Sequence, residues 1–100
     1  MTLGERLKFC RLAREMTQTQ LEEITGVSHG TISAYELDKY EPTLFGICCL
    51  ADALDIPLDF LAGRLTEKEE NEVWARIISK KSAKYNPKLM QWLISHEFKE

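Results

Sequence analysis

The sequence predicts an all-α protein, and three observations lead there. Three threonines are each followed three residues later by Glu or Gln: Thr2 with Glu5, Thr17 with Gln20, and Thr66 with Glu69. In that arrangement the hydroxyl takes the third amide of a helix while the longer side chain folds back onto the threonine amide, so each pair marks a helix start. Apolar residues then recur at intervals of three and four, the period of one helix face. No stretch shows the bounded alternation of a strand.

The elements follow in order. The first helix is expected over residues 3–15, with Leu3, Leu7 and Cys10 as its inner stripe and Phe9 and Leu12 off it. A second spans residues 18–25, with Leu21, Ile24 and Thr25 on one face. Gly26 ends it where a left-handed backbone is needed. Ser28 then caps a third helix over residues 29–37, whose buried side is Ile32 and Tyr35. The Glu41-Pro42 step disfavours helix, so residues 38–42 form a loop. Thr43 caps a fourth helix over residues 44–54, with Leu44, Ile47, Cys48, Ala51 and Leu54 sharing a face and Phe45 and Cys49 on another. Ile56-Pro57 opens a short fifth helix that Gly63 closes.

Beyond Gly63 the third capping box starts a helix that runs to about Lys80, with Val73, Trp74, Ile77 and Ile78 as one stripe. Residues 82–86 break the pattern. Asn86-Pro87 caps a last helix over residues 87–98 carrying Leu89, Met90, Trp92, Leu93 and Ile94. These two helices read as a hairpin, residues 66–100, too small to bury its own stripes. It has to pack on the rest of the chain or on another chain. Aromatic anchors are enriched at interfaces, so the expectation is a dimerisation element built from Trp74, Ile77, Ile78, Leu89, Trp92, Leu93 and Ile94. The competing expectation folds the hairpin back onto Phe9, Leu12, Phe45 and Cys49.

Residues 17–36, TQTQLEEITGVSHGTISAYE, carry the most information about function. Two short helices around a glycine-centred turn form the unit that lays its second helix in the major groove of DNA while the first braces it. The order of segments resembles the lambda-repressor-like helix-turn-helix superfamily. LGERLKFCRLAREM matches its first helix, TQTQLEEITGVS the second, HGTISAYE the recognition helix, DKYEPT the loop, and LFGICCLADALDIPLDFLAG the fourth and fifth helices. The resemblance implies a five-helix DNA-binding domain over residues 1–65. It further implies a sequence-specific transcriptional regulator, a repressor from a bacterium or its phage, bound to a double-stranded DNA operator as a homodimer.

The resemblance also assigns residues. Gln18 matches a position whose amide bonds a DNA phosphate. His29, Gly30, Thr31, Ser33 and Ala34, with Ser28 as their cap, occupy the early outward part of the recognition helix, where family members reach base edges. Thr31 and Ser33 can donate or accept, and His29 can donate to guanine or phosphate, whereas Gly30 and Ala34 only admit a close approach or a thymine methyl. The family often carries long amide or basic side chains there, and this chain does not. Lys39 and Tyr40 match positions on the sugar-phosphate backbone. Thr43 can offer its hydroxyl and the amides of its helix to the next phosphate. Arg11 and Glu36 match an ion pair that fixes geometry. Glu22 stands where the family commonly has alanine.

Composition narrows the remaining classes. The chain has 100 residues, 44% hydrophobic, and a net charge of −3. Six basic residues face ten acidic ones between positions 1 and 65. DNA-binding proteins usually present a basic footprint, so this balance predicts weak non-specific affinity. It also sustains a second reading, a protein-interaction module of antirepressor or antitoxin type with weakened DNA contacts and a regulatory protein partner at the hairpin. Three cysteines, two of them adjacent, form neither a disulfide framework nor a zinc spacing, and Cys10 reads as a buried hydrophobe. No nucleophile, metal or phosphate-loop motif occurs, so no catalytic residue and no cofactor are expected. The lack of a signal pattern or a long apolar run predicts a cytoplasmic protein, with no membrane partner.

Overall fold

All three threonine boxes close as reciprocal caps. Thr2 accepts from the Glu5 amide at 3.1 Å and Thr17 from the Gln20 amide at 3.0 Å, and the partner side chains return to the threonine amides at 2.9 and 2.8 Å. Thr66 and Glu69 repeat the geometry at 3.2 and 3.0 Å. The computed structural model describes residues 1–80, with side chains through Ile77, and folds them into six helices. These are α1 (Leu3–Ala13), α2 (Gln18–Thr25), α3 (His29–Glu36), α4 (Leu44–Leu54), α5 (Leu58–Leu61) and α6 (Glu67–Lys80). Among the described residues there is no strand. The final helix expected over residues 87–98 lies outside them.

One core serves all six helices. Leu7 and Cys10 of α1, Leu21 of α2, Ile32 of α3, Leu50 and Leu54 of α4, and Phe60 and Leu61 of α5 are buried together with Val73, Trp74 and Ile77 of α6. Trp74 meets Phe60 edge to face, with ring centroids 4.9 Å apart and planes 80° from parallel. Beside that contact Arg6 of α1 pairs with Glu70 of α6 at 3.0 Å and donates to the Met1 carbonyl at 2.9 Å. α6 is thus tied to α1 by charge and to α5 by ring packing.

Several expectations are corrected. α1 stops at Ala13, not residue 15, because Glu15 turns into the left-handed region at φ 57°. α3 stops at Glu36, one residue early, with Asp38 at φ 58°. In α4 the buried stripe is Ile47, Leu50, Ala51 and Leu54. Leu44 is 75% exposed because its first turn projects past the helices beneath, and Cys48 is only half-buried. Ile24 is also exposed, at 59%, so α2 presents Leu21 alone as a fully buried apolar side chain.

Two clamps position α3. Asp38, just past its end, accepts the Gly4 amide at 3.0 Å and the Thr2 hydroxyl at 2.7 Å. Here α1 runs so close to the end of α3 that a Cβ on Gly4 would lie 2.5 Å from the Tyr35 carbonyl oxygen. At the other end of α1, Arg14 donates to the Leu54 and Asp55 carbonyls at 2.9 and 3.4 Å, closing the C-terminus of α4.

Candidate DNA-binding surface

The turn between α2 and α3 is set by Gly26, which adopts φ 78° and returns its amide to Glu22 O at 2.8 Å. Ser28 then caps α3. Its Oγ accepts the Thr31 amide at 3.1 Å and donates to Thr31 Oγ1 at 2.8 Å. The Ser28 hydroxyl is therefore engaged in the cap, and Thr31 keeps its own hydroxyl proton for an outside acceptor. His29 and Gly30 are exposed, while Thr31, Ser33 and Ala34 are half-buried. A Cβ added to Gly30 would meet nothing within 4 Å, so the start of α3 has an open outer face.

Arg11 and Glu36 come together as a two-pronged pair. Nε and Nη2 of Arg11 reach Oε2 and Oε1 of Glu36 at 2.6 and 3.0 Å, with both side chains under 10% exposed. Arg11 Nη1 donates to the Met16 carbonyl at 2.8 Å, and Gln18 Nε2 donates to Glu36 Oε1 at 3.1 Å. The network joins α1, α2 and α3 in the buried angle behind the recognition helix. Gln18 thus turns one amide hydrogen inward and leaves one for a phosphate.

Further along, Lys39, Tyr40 and Thr43 are all exposed, and Thr43 Oγ1 accepts the Gly46 amide at 3.0 Å. The first amides of α4 have no intrahelical acceptor and suit an anion. Charge is scarce on this side of the molecule. Arg6, Arg11 and Arg14 are all turned to internal partners, which leaves Lys8, Lys39 and Arg64 as the exposed cations of the first 65 residues.

Glu22 is the site residue that sequence reasoning left without a role. Its Oε1 accepts the His29 amide at 2.9 Å and lies 2.7 Å from His29 Nδ1. The ring hydrogen bond of His29, followed by the backbone one, holds the Glu22 carboxyl below its ordinary value. Glu and His seven positions apart across a turn were the available signal. Their pairing depends on the angle between α2 and α3, which spacing alone does not give.

The dimerisation set needs correction. Trp74 and Ile77 are 1% and 2% exposed within their own chain, because α6 packs them against α1 and α5, so neither side chain faces a partner. The side chain of Ile78, and Leu89, Trp92, Leu93 and Ile94, lie outside the described residues. Phe45 is 78% exposed and Leu12 38%. Among the described residues no group of His, Cys, Asp and Glu could hold a metal, and no helix is long and apolar enough to cross a membrane.

Residues 7–61 match the helix-turn-helix family, a span that runs from the middle of α1 through α5. The chain belongs to the lambda-repressor-like helix-turn-helix family. It is a DNA-binding transcriptional regulator. Among its helix-turn-helix relatives, the immunity repressor protein of Bacillus phage phi105 is 33% identical over 88 residues, covering 88% of this chain and 54% of that protein. The cryptic phage CTXphi transcriptional repressor RstR of Vibrio cholerae is 35% identical over 77 residues, 77% of this chain and 69% of that one. The SPbeta prophage-derived helix-turn-helix regulator YonR of Bacillus subtilis is 29% identical over 108 aligned positions, 97% of each chain. This helix-turn-helix chain spans about half the length of the phi105 repressor. No solved structure matches it.

Proposed function

We propose that the protein represses transcription from a phage or prophage operator by occupying it as a homodimer and excluding polymerase. The observation that carries this is the open outer face of α3, flanked by the α4 amides and Lys39, on a fold whose relatives include two named phage repressors. A single eight-residue helix reads only a few base pairs. Two copies about a two-fold axis would read half-sites about 34 Å apart. In this reading His29, Gly30, Thr31, Ser33 and Ala34 approach bases, and Gln18, Lys39, Tyr40 and Thr43 hold phosphates. The protein acts in the cytoplasm, where its operator is. With Trp74 and Ile77 enclosed by their own chain, the second protomer is assigned to the apolar positions beyond them, Leu89, Trp92, Leu93 and Ile94.

Titration of specific and random duplexes at several salt concentrations tests the docking. Lys39→Ala should weaken binding to every sequence and reduce the salt slope by about one. Thr31→Ala and Ser33→Ala should alter discrimination between sites instead. Unchanged affinities in all three variants would remove this docking and favour the protein-interaction reading, which the inward-turned arginines support.

A further inference from the structure

The side chain of Glu22 crosses from α2 to the first residue of the recognition helix and meets it twice, at the His29 amide and at the ring. A carboxylate accepts and cannot donate, so the nitrogen that faces it, Nδ1, carries a proton. The carboxyl is held in its ionised form by these same contacts. The other ring nitrogen, Nε2, belongs to an exposed side chain at the start of α3, next to the open space above Gly30.

We propose that Glu22 fixes the proton of His29 on Nδ1 and so makes Nε2 a hydrogen-bond acceptor that selects an amino-bearing base edge, cytosine or adenine, in the major groove. The inference rests on the DNA-binding reading of α3 and adds the residue that sets its base preference. In the major groove cytosine offers its N4 amino group and adenine its N6 amino group, whereas guanine offers only the acceptors N7 and O6. A neutral ring with Nδ1–H therefore favours cytosine or adenine. When the ring gains its second proton, Nε2–H becomes a donor and guanine is favoured.

Glu22 is the ionisable group of α2 in contact with His29, and Glu23 beside it is exposed. Within α3 the other ionisable groups are Tyr35 and Glu36, at the far end. From α1, Glu5, Lys8 and Arg11 line the cleft against Ser33, Glu36 and Leu37, along the same distant half of α3. The state of the ring at the front of α3 is thus governed by Glu22. Glu22 acts through His29, so it is a positioning residue.

Two measurements test this. Long-range proton–nitrogen spectra of the free protein at pH 8, in a His96→Gln background that leaves one imidazole, should show a protonated Nδ1 and a bare Nε2. Glu22→Ala, which puts the best helix former into α2, should shift the ring to the Nε2–H form. A parent ring protonated on Nε2, or identical rings in both chains, overturns the proposal. Selection from a pool of randomised duplexes at fixed salt supplies the second readout. The parent should enrich cytosine or adenine about five- to tenfold at one position of each half-site at pH 8, the worth of one hydrogen bond. At pH 5.5, below the midpoint of an ordinary histidine, the same position should change to guanine. Glu22→Ala should select guanine there at both pH values and keep the rest of the site. One unchanged base in the parent at both pH values overturns the proposal. A pool with no enriched sequence at all overturns the DNA-binding reading, and the base preference with it.

Discussion

Cys10 and Arg11 are neighbours in α1, and both are buried, yet burial acts on them in opposite ways. Desolvation pushes the Cys10 thiol up to about 12, so at pH 8 it holds almost no thiolate, the form that reacts. A thiol reagent should therefore modify the half-buried Cys48 and Cys49 first and reach Cys10 only on unfolding. Three equal rates would contradict that. Arg11 keeps its charge because Glu36 and the Met16 carbonyl surround it. Arg11→Ala strands Glu36 and should cost about 3–5 kcal/mol in denaturant melts, a large part of the stability of a small domain. A variant that melts like the parent but loses operator binding would reassign Arg11 to the DNA. Glu22 gives a pH signature at this scale. Its value is lowered on folding, so its contribution is present above the ordinary carboxylate range and fades as pH falls through the lowered value. Melts of Glu22→Gln should differ from the parent near pH 7 and converge with it in acid.

Two glycines within five residues show how one element sorts identical side chains. Gly26 sits at φ 78° at the end of α2, where a Cβ costs roughly 1–2 kcal/mol, so Gly26→Ala should destabilise by about that much. Gly30 lies in regular helix with open space around it, and Gly30→Ala should stabilise by about 0.5–1 kcal/mol while weakening DNA binding by obstructing close approach. Thermal melts paired with duplex titrations check both, and a Gly30→Ala that binds as tightly as the parent would place the backbone farther from the bases. Helix starts were readable at this scale because a cap is written within four residues. The α2 and α4 bounds match those expected from Thr17, Gly26, Thr43 and Leu54. Helix faces were less readable. Leu44 and Ile24 have the right angles to be inside, but burial depends on how far the neighbouring helices extend. Neither the Gly4–Asp38 clamp nor the Glu22–His29 contact is local, as they join positions 34 and seven residues apart.

At the scale of the molecule, α6 completes the core that the helix-turn-helix needs. Trp74→Ala should cost about 3–5 kcal/mol, the usual range for a buried large aromatic. Truncation after Arg64 should cost more, since it uncovers Phe60 and leaves Arg6 without Glu70. Chemical denaturation checks both, and a fragment as stable as the whole chain would show that five helices suffice. The stripe in α6 was legible from Val73, Trp74 and Ile77, but its destination was not, since the same stripe would serve a second chain equally well. The inward arginines carry a consequence of a different kind. With Arg6, Arg11 and Arg14 neutralised inside the protein, few counterions leave bulk DNA when a protomer lands on it. The chromosome then makes a poor sink for this regulator. Most copies stay free in solution, and operator occupancy follows the number of molecules per cell with little buffering from the genome.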